Sequence, residues 1–129
     1  MIQQSGLTLA YLGDAYFELA IRKHLIEKGH TKVNDLHQYA IQFTSANGQA
    51  KIIQKLLESE LTEFEVDTFK RGRNATSTHK PKNADLTIYR AATGFECLLG
   101  HLYLDGRLDR LEFLIQKSIE IIEELRNNS

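Results

Sequence analysis

The stretch LTLAYLGDAYFELAI, at residues 7–21, has apolar side chains in nearly every direction around a helix axis. The stretch YRAATGFECLLGHLYL, at residues 89–104, has the same character. A helix that is apolar on all sides is typical of a protein interior. These two stretches therefore predict a pair of central helices around which the fold is built.

The remaining segments also read as helices, which predicts an all-α protein. No segment shows sustained apolar–polar alternation of the kind that indicates strands. A length of 129 residues predicts a single domain with a sizeable core. The predicted helices and their end signals are 7–28 ending at Gly29, 34–43 with Asn34 as N-cap, 46–59, a helix from a Thr62–Glu65 capping box to Arg71, 84–104 with Asn83 as N-cap and Gly106 at its end, and a last helix opened by Asp109.

Features of the composition and of the first residues indicate which cellular compartment to expect. The single cysteine cannot form an internal disulfide, which suits a reducing compartment. No window approaches the roughly 18 apolar residues of a membrane span. The start MIQQSGL lacks the basic and apolar regions of an export signal. We therefore expect a cytoplasmic protein.

Each predicted central helix contains a carboxylate among apolar residues. Asp14 follows Gly13, and Glu96 lies between Gly94 and Gly100. Small residues allow two helices to approach closely, so the two acids could face each other. Like charges in a partly dry site repel, and one acid would be driven to protonate. A divalent cation with oxygen ligands removes the conflict, which indicates Mg²⁺ held by Asp14 and Glu96.

Structural roles for these acids remain open from spacing alone. Asp14 could accept a hydrogen bond from a buried tyrosine or arginine. Glu96 could pair with Arg90 or Arg22 as a structural salt bridge.

A second feature is the stretch KRGRNATSTHKPKNAD, at residues 70–85. The whole chain has a formal charge of -1, yet every formal charge in residues 70–84 is positive. Local positive charge can hold an anion even when the total is near zero. The stretch could bind a polyphosphate whose linkage lies over the metal, or it could be a solvated loop.

The two apolar stretches carry a family resemblance. LAYLGDAYFEL, at residues 9–19, resembles the signature helix of ribonuclease III proteins, and FECLLGHLYLDG, at residues 95–106, resembles their second motif. The intervening segment 71–96 is similar to the short Mini-ribonuclease III branch, which has the catalytic domain without a double-stranded-RNA-binding domain. By this resemblance the fold is the ribonuclease III endonuclease-domain helical fold.

The resemblance implies a homodimeric, Mg²⁺-dependent endoribonuclease that cuts both strands of duplex RNA and leaves 5′-phosphate and 3′-hydroxyl ends. The implied substrate is precursor 23S ribosomal RNA of the large subunit, and a large-subunit ribosomal protein is a possible partner. Asp14 matches the catalytic and metal-binding aspartate of the first motif, and Glu96 matches the glutamate of the second. The side chains expected to contact the RNA are Lys70, Arg71, Arg73, Asn74, Ser77, Lys80, Lys82 and Asn83.

The chain departs from the larger enzymes of the family at two acidic positions. Ala10 stands where they have a glutamate, and Thr93 stands where they have an aspartate. Asp85 and Glu18 are the nearest spare carboxylates. The neutral positions leave open an alternative, a non-catalytic RNA-binding or ribosome-associated protein with the same fold.

Overall fold

A computed structural model describes residues 3–75 and 85–128, and within them it contains six helices and no strand. The prediction of an all-α fold is confirmed. None of these helices is long and apolar enough to cross a membrane. The helices are α1 (Gly6–Glu27), α2 (Val33–Thr44), α3 (Ala46–Ser59), α4 (Glu63–Arg73), α5 (Leu86–Leu104) and α6 (Leu108–Asn127).

Local end signals account for most of the helix boundaries. Thr62 and Glu65 form the predicted capping box of α4, in which each side chain accepts the other residue's backbone N–H. Gly29 and Gly106 follow the ends of α1 and α5 with φ of 103° and 72°. This left-handed conformation is easily reached by glycine, so both predicted helix ends are confirmed.

Two N-cap predictions differ from the structure. Asn34 lies inside α2, whose N-cap is Lys32 without a side-chain hydrogen bond. The cap of α5 is Asp85, whose carboxylate accepts hydrogen bonds from two backbone N–H groups of the first turn, at 2.8 and 3.3 Å. Asn83, the predicted cap, lies outside the described residues. A side chain therefore caps α5, two residues after the predicted cap, whereas no side chain caps α2.

Helix α5 is the central helix of the fold. Every residue from Ala92 to Leu102 is buried except Glu96, which is half-buried. The helix contacts α1, α3, α4 and α6, so it is enclosed on most sides. The prediction that this apolar segment lies in the interior is confirmed.

The corresponding prediction for α1 is wrong. Leu9, Phe17 and Ile21 are fully buried, but Tyr11 is 83% exposed and Leu19 is 67% exposed. The reason is that α1 packs mainly against α5 and also contacts α2, α4 and α6, while the face that carries Tyr11 and Leu19 is covered by no element within the described ranges. Asp14 lies at the edge of this open face and is exposed, not buried as its apolar surroundings suggested.

A glycine contact joins α1 to α5. A Cβ atom on Gly13 would lie 1.8 Å from the Glu96 carbonyl oxygen, and one on Gly100 would lie 2.0 Å from the Leu9 carbonyl oxygen. No real side chain tolerates such distances, so the two backbones are in direct contact. This glycine seam, defined by Gly13 and Gly100, places the residues beside it at a fixed separation.

Candidate functional site

The glycine seam brings Asp14 of α1 and Glu96 of α5 together. Their side-chain carboxyl groups are in hydrogen-bonding contact across the seam. Asp14 is reached by solvent, whereas Glu96 is half-buried. The two acids, from distant parts of the chain, therefore lie next to each other, but Asp14 is at the surface and not in the interior as predicted.

The environment of Glu96 disfavours its negative charge. Burial raises the pKa of Glu96, and the hydrogen bond and charge of Asp14 raise it further, to about 8. The charge of Glu18 adds to this effect, and a hydrogen bond from Gln49 partly opposes it. At neutral pH the pair consequently does not carry two full negative charges unless a cation neutralises them.

The structural alternatives for Glu96 are not observed in the described part of the chain. Arg22 pairs instead with Glu18, one turn away on α1, at 3.5 Å. Arg90 is exposed and is not an ion-pair partner of Glu96. An arginine-neutralised structural role therefore does not explain the position of Glu96.

The two carboxyl groups fit a hard divalent cation. Mg²⁺ is commonly bound by one or two carboxylates, with water and substrate phosphate oxygens completing its shell. Residues 3–75 and 85–128 contain no cluster of three or more histidine, cysteine, aspartate or glutamate side chains with metal-site geometry. A site with few protein ligands, all of them carboxylate oxygens, suits Mg²⁺ better than zinc.

The structure adds one side chain that the sequence interpretation missed. Gln49 of α3 is only 2% exposed, and its Nε2 donates to Glu96 Oε2 at 3.2 Å and to the Thr44 carbonyl oxygen at 3.0 Å. The sequence does contain a signal for a buried polar residue at this position, because Gln49 precedes Ile52, Ile53 and Leu56 on the buried face of α3. A polar residue in an apolar stripe usually has a specific partner.

The remaining acidic candidates lie in different places. Glu18 is close enough to Glu96 for its charge to act on it. Asp85 caps α5 about 16 Å along the helix from Glu96, at 1.5 Å per residue over eleven residues. Ala10 and Thr93 are both buried, and the Thr93 hydroxyl donates to the Tyr89 carbonyl oxygen at 3.0 Å.

The described part of the basic stretch lies at the end of α4. Lys70, Arg71 and Arg73 occupy its last turn, and Asn74 follows as C-cap. The predicted contacts outside the described residues are Ser77, Lys80, Lys82 and Asn83. Arg71 donates a hydrogen bond to the Gln4 carbonyl oxygen, and Arg73 donates to Asn74 Oδ1 at 3.1 Å.

The end of α4 is fixed against the segment of α5 that carries Glu96. A Cβ atom on Gly72 would lie 2.3 Å from the Cys97 Cβ and 3.0 Å from the Gly94 Cα. The cationic turn is therefore attached to the same part of α5 as the acidic pair. The charge of Arg71 acts on Cys97, the residue that follows Glu96.

Cys97 has a packing role. It is fully buried, and burial raises the pKa of its thiol to about 11. The thiol is therefore protonated at neutral pH and is a poor nucleophile. The interpretation of this residue as core is confirmed.

Known proteins resemble the chain along most of its length. The family model for the ribonuclease III domain matches residues 7–107. Mini-ribonuclease 3 of Enterococcus faecalis is 50% identical over 123 residues, which cover 95% of this chain and 93% of the relative. Mini-ribonuclease 3 of Streptococcus pneumoniae is 48% identical over 120 residues, which cover 92% of this chain and 94% of the relative.

A solved structure supports the same assignment of the fold. The crystal structure of protein FN1578 from Fusobacterium nucleatum superposes with a TM-score of 0.80 at 30% identity. The match covers 92% of this chain and 93% of that protein.

Proposed function

The chain belongs to the ribonuclease III family and is an endoribonuclease, and on that premise we propose that it cleaves double-stranded RNA with Mg²⁺ at Asp14 and Glu96. The observation that carries the proposal is the contact between these two acids across the glycine seam. Burial and repulsion raise the pKa of Glu96 to about 8. A bound cation would remove this conflict, so the pair favours metal binding over a purely structural role.

Asp14 and Glu96 would hold the ion from two helices. Asp14, which solvent reaches, faces the side from which the phosphodiester and the attacking water arrive. Glu96 anchors the ion from the protein side. When bound, Mg²⁺ supplies positive charge that stabilises the phosphodiester during in-line attack by water and departure of the 3′-oxygen. The products are 5′-phosphate and 3′-hydroxyl ends.

The cationic end of α4 would supply RNA affinity. Duplex RNA is recognised by its shape, phosphates and 2′-hydroxyl groups, which suits lysine, arginine and asparagine side chains. Lys70, Arg71, Arg73 and Asn74 lie beside the segment of α5 that carries Glu96. Ser77, Lys80, Lys82 and Asn83, which lie outside the described residues, are proposed as further RNA contacts. Binding should weaken steeply as salt rises, because phosphate contacts release counterions.

We further propose that two copies associate through the open face of α1. Tyr11 and Leu19 are large side chains that lie mostly in solvent, and Phe113 of α6 is 41% exposed. A groove of about 660 Å³ runs between α1 and α6 and is lined by Leu19 and Phe113. A two-fold pairing across this surface would cover it and provide one acidic site for each RNA strand. Leu19→Glu should then shift the protein to monomer in analytical ultracentrifugation, and an unchanged dimer would exclude this face.

Precursor 23S ribosomal RNA is the proposed substrate, in the cytoplasm, with a large-subunit ribosomal protein as a possible presenting partner. The support for this choice is the similarity to the Mini-ribonuclease 3 proteins over most of the chain. The test is whether precursor 23S RNA is cut at one position in preference to an unrelated duplex of equal length.

The central experiment is cleavage of duplex RNA with Mg²⁺ by the wild type, Asp14→Asn and Glu96→Gln. Each substitution should lower the cleavage rate by about 10³-fold or more, since it removes one of two charged ligands. Glu65→Gln is the matched control, because Glu65 is a buried glutamate of α4 that is paired with Arg110. Cleavage that survives both site substitutions would defeat the site assignment. RNA binding without cleavage by the wild type would favour the non-catalytic alternative, with which the neutral Ala10 and Thr93 are consistent.

A further inference from the structure

Gln49 is a buried polar residue whose bonds lead to the acidic pair. Its side chain is 2% exposed and belongs to α3, whereas Glu96 belongs to α5. The amide Nε2 donates to Glu96 Oε2 at 3.2 Å. Apart from Asp14, this is the polar contact that the structure describes for the Glu96 carboxyl group.

The orientation of the Gln49 amide is fixed by a backbone group. Nε2 also donates to the Thr44 carbonyl oxygen at 3.0 Å, and a carbonyl oxygen can only accept. The NH₂ group must therefore face Thr44, and its second hydrogen points to Glu96. Thr44 is the last residue of α2, where carbonyl groups lack helical partners, so the bond also closes the end of that helix.

The corner between α2 and α3 holds Gln49 rigidly. Ser45 caps α3 by accepting the Gly48 backbone N–H at 3.1 Å. A Cβ atom on Gly48 would lie 2.3 Å from the Gln42 carbonyl oxygen, so the two helices meet without space for a side chain there. Gln49 follows directly and begins the buried face of α3. Its amide is therefore placed by the backbone of two helices.

The other amide atom shows that packing alone does not explain this residue. Gln49 Oε1 is buried and has no hydrogen-bond partner among the described residues. An unpaired buried acceptor is unfavourable, and an apolar side chain of similar size would avoid it. A glutamine at this position is consequently a disadvantage for the core unless its donor group serves another purpose.

We propose that Gln49 is a positioning residue that fixes the Glu96 carboxylate opposite Asp14 in the geometry that binds Mg²⁺. The inference rests on the proposed function and names a third helix that builds the site. Carboxylates that bind metals are commonly oriented by hydrogen bonds from neighbouring groups, and loss of such a bond typically weakens metal affinity or activity 10- to 100-fold. Gln49 approaches from the side opposite solvent and supplies that bond.

The test compares Gln49→Leu and Gln49→Glu with the wild type. The first readout is the midpoint of thermal unfolding as a function of Mg²⁺ concentration, without RNA. The second is the Mg²⁺ concentration that gives half-maximal cleavage. Gln49→Leu should require about 10- to 100-fold more Mg²⁺ in both readouts. At saturating Mg²⁺ its cleavage rate should return towards that of the wild type.

Gln49→Glu keeps the length of the side chain and replaces the donor by an acceptor. At neutral pH without metal, this protein should unfold at a lower temperature than the wild type, because three carboxyl groups then share the site. Saturating Mg²⁺ should remove most of the difference in unfolding temperature between Gln49→Glu and the wild type. Absence of this metal-dependent difference would mean that the side chain at position 49 does not act on the acidic pair, and that result would overturn the proposal.

Ile53→Val is the control in the same helix. Ile53 is 1% exposed, and loss of one methyl group lowers stability without touching Glu96. Its unfolding temperature should fall while its Mg²⁺ dependence stays that of the wild type. If the wild type itself shows no response to Mg²⁺, the proposed function fails together with this inference. If the wild type responds and Gln49→Leu follows the same Mg²⁺ curve, the positioning role alone is excluded.

Discussion

Glu65 and Glu96 are both at least partly removed from solvent, but the pKa of Glu65 is lowered and the pKa of Glu96 is raised. Glu65 is 2% exposed, and both of its oxygens accept hydrogen bonds from Arg110 at 2.8 Å. Burial alone would raise the pKa of Glu65, but the bonds from Arg110 and Thr62 outweigh it and lower the pKa. At Glu96 burial is the largest cause of the raised pKa, and Asp14 adds to it, so that the pKa rises to about 8. Burial acts in the same direction on both glutamates; the partner of Glu65 reverses its effect, and the partner of Glu96 strengthens it.

The two glutamates therefore differ in their effect on stability. The charged form of Glu65 stabilises the fold, whereas the surroundings of Glu96 disfavour its charged form. Glu65 joins α4 to α6 and satisfies the first turn of α4, which is a sufficient structural reason for its presence. Glu96 destabilises the metal-free protein in its charged form. Such a residue indicates a functional site when geometry supplies a reason for it, and here the reason is a second carboxylate at hydrogen-bonding distance.

The largest expected effect is a pH dependence of stability that originates at Glu96. Its pKa rises from an ordinary 4.5 to about 8 in the folded protein. The contribution of Glu96 to the stability of the metal-free protein should therefore be fully present below pH 4.5 and be lost progressively as pH rises through about 8. At about 1.4 kcal/mol per pKa unit the loss is at most roughly 4–5 kcal/mol. Urea unfolding with EDTA measures this loss between pH 4.5 and 9.

Glu96→Gln should flatten this profile and stabilise the metal-free protein above pH 8, while it abolishes cleavage. Glu65→Gln should retain the fall towards high pH, because it leaves Glu96 and Asp14 in contact. A wild-type profile without a fall between pH 4.5 and 8 would contradict the electrostatic difference between the two glutamates.

The second effect concerns the glycine seam that forces Glu96 and Asp14 together. In Gly100→Ala the new Cβ would lie 2.0 Å from the Leu9 carbonyl oxygen, so α1 and α5 must move apart. We expect a loss of about 3 kcal/mol in the free energy of unfolding and a weaker response to Mg²⁺. Chemical denaturation and Mg²⁺-dependent thermal unfolding measure the two quantities.

Gly29→Ala is the comparison for the seam. Nothing lies within 4 Å of a Cβ there, but φ is 103°, so the cost is conformational and about 1 kcal/mol. Cleavage and Mg²⁺ response should stay those of the wild type. If Gly100→Ala behaved like Gly29→Ala, the seam would not set the distance between the acids.

The third effect is the loss of the Glu65–Arg110 pair. Glu65→Gln keeps the shape of the side chain and one oxygen acceptor but removes the charge from a nearly buried pair. The expected loss is about 2 kcal/mol at neutral pH, the scale of a hydrogen bond to a charged group. Because the pKa of Glu65 is lowered, its contribution is present above pH 4.5 and disappears as pH falls through the folded value. A stability that is unchanged at pH 7 would show that the pair is worth no more than a surface contact.

The two glutamates also show which parts of the structure the sequence could predict. The Thr62–Glu65 capping box could be predicted from the sequence because its two residues are three positions apart. The partner Arg110 was not, because it lies 45 residues further along the chain. Asp14 and Glu96 could be paired because each interrupts an apolar helix. Gln49 was missed because an uncharged side chain in an apolar stripe gives a weaker signal than a charged one.

Helix α1 shows a limit of a different kind. Apolar residues on all its faces correctly indicated that the helix packs, but the sequence pattern does not say whether the same chain covers every face. Tyr11 and Leu19 remain exposed, whereas in α5, which has a similar pattern, every residue from Ala92 to Leu102 except Glu96 is buried. The pattern therefore predicts contact, and the topology decides which contacts lie within one chain.

The smallest effect distinguishes a charge that acts at a distance from a metal ligand. Glu18 raises the pKa of Glu96 through its charge and pairs with Arg22 at 3.5 Å, with its side chain 35% exposed. Solvent screens a charge in this position, so Glu18→Gln should change stability by well under about 1 kcal/mol. The upper end of the fall in stability should move slightly downwards in pH, because the pKa of Glu96 is lower once one of the charges that repel it is gone. In Glu18→Gln the Mg²⁺ concentration for half-maximal cleavage should change less than twofold. A loss of Mg²⁺ affinity as large as that of Asp14→Asn would instead show that Glu18 is a third ligand. The site would then have more oxygen donors than the two acids at the glycine seam.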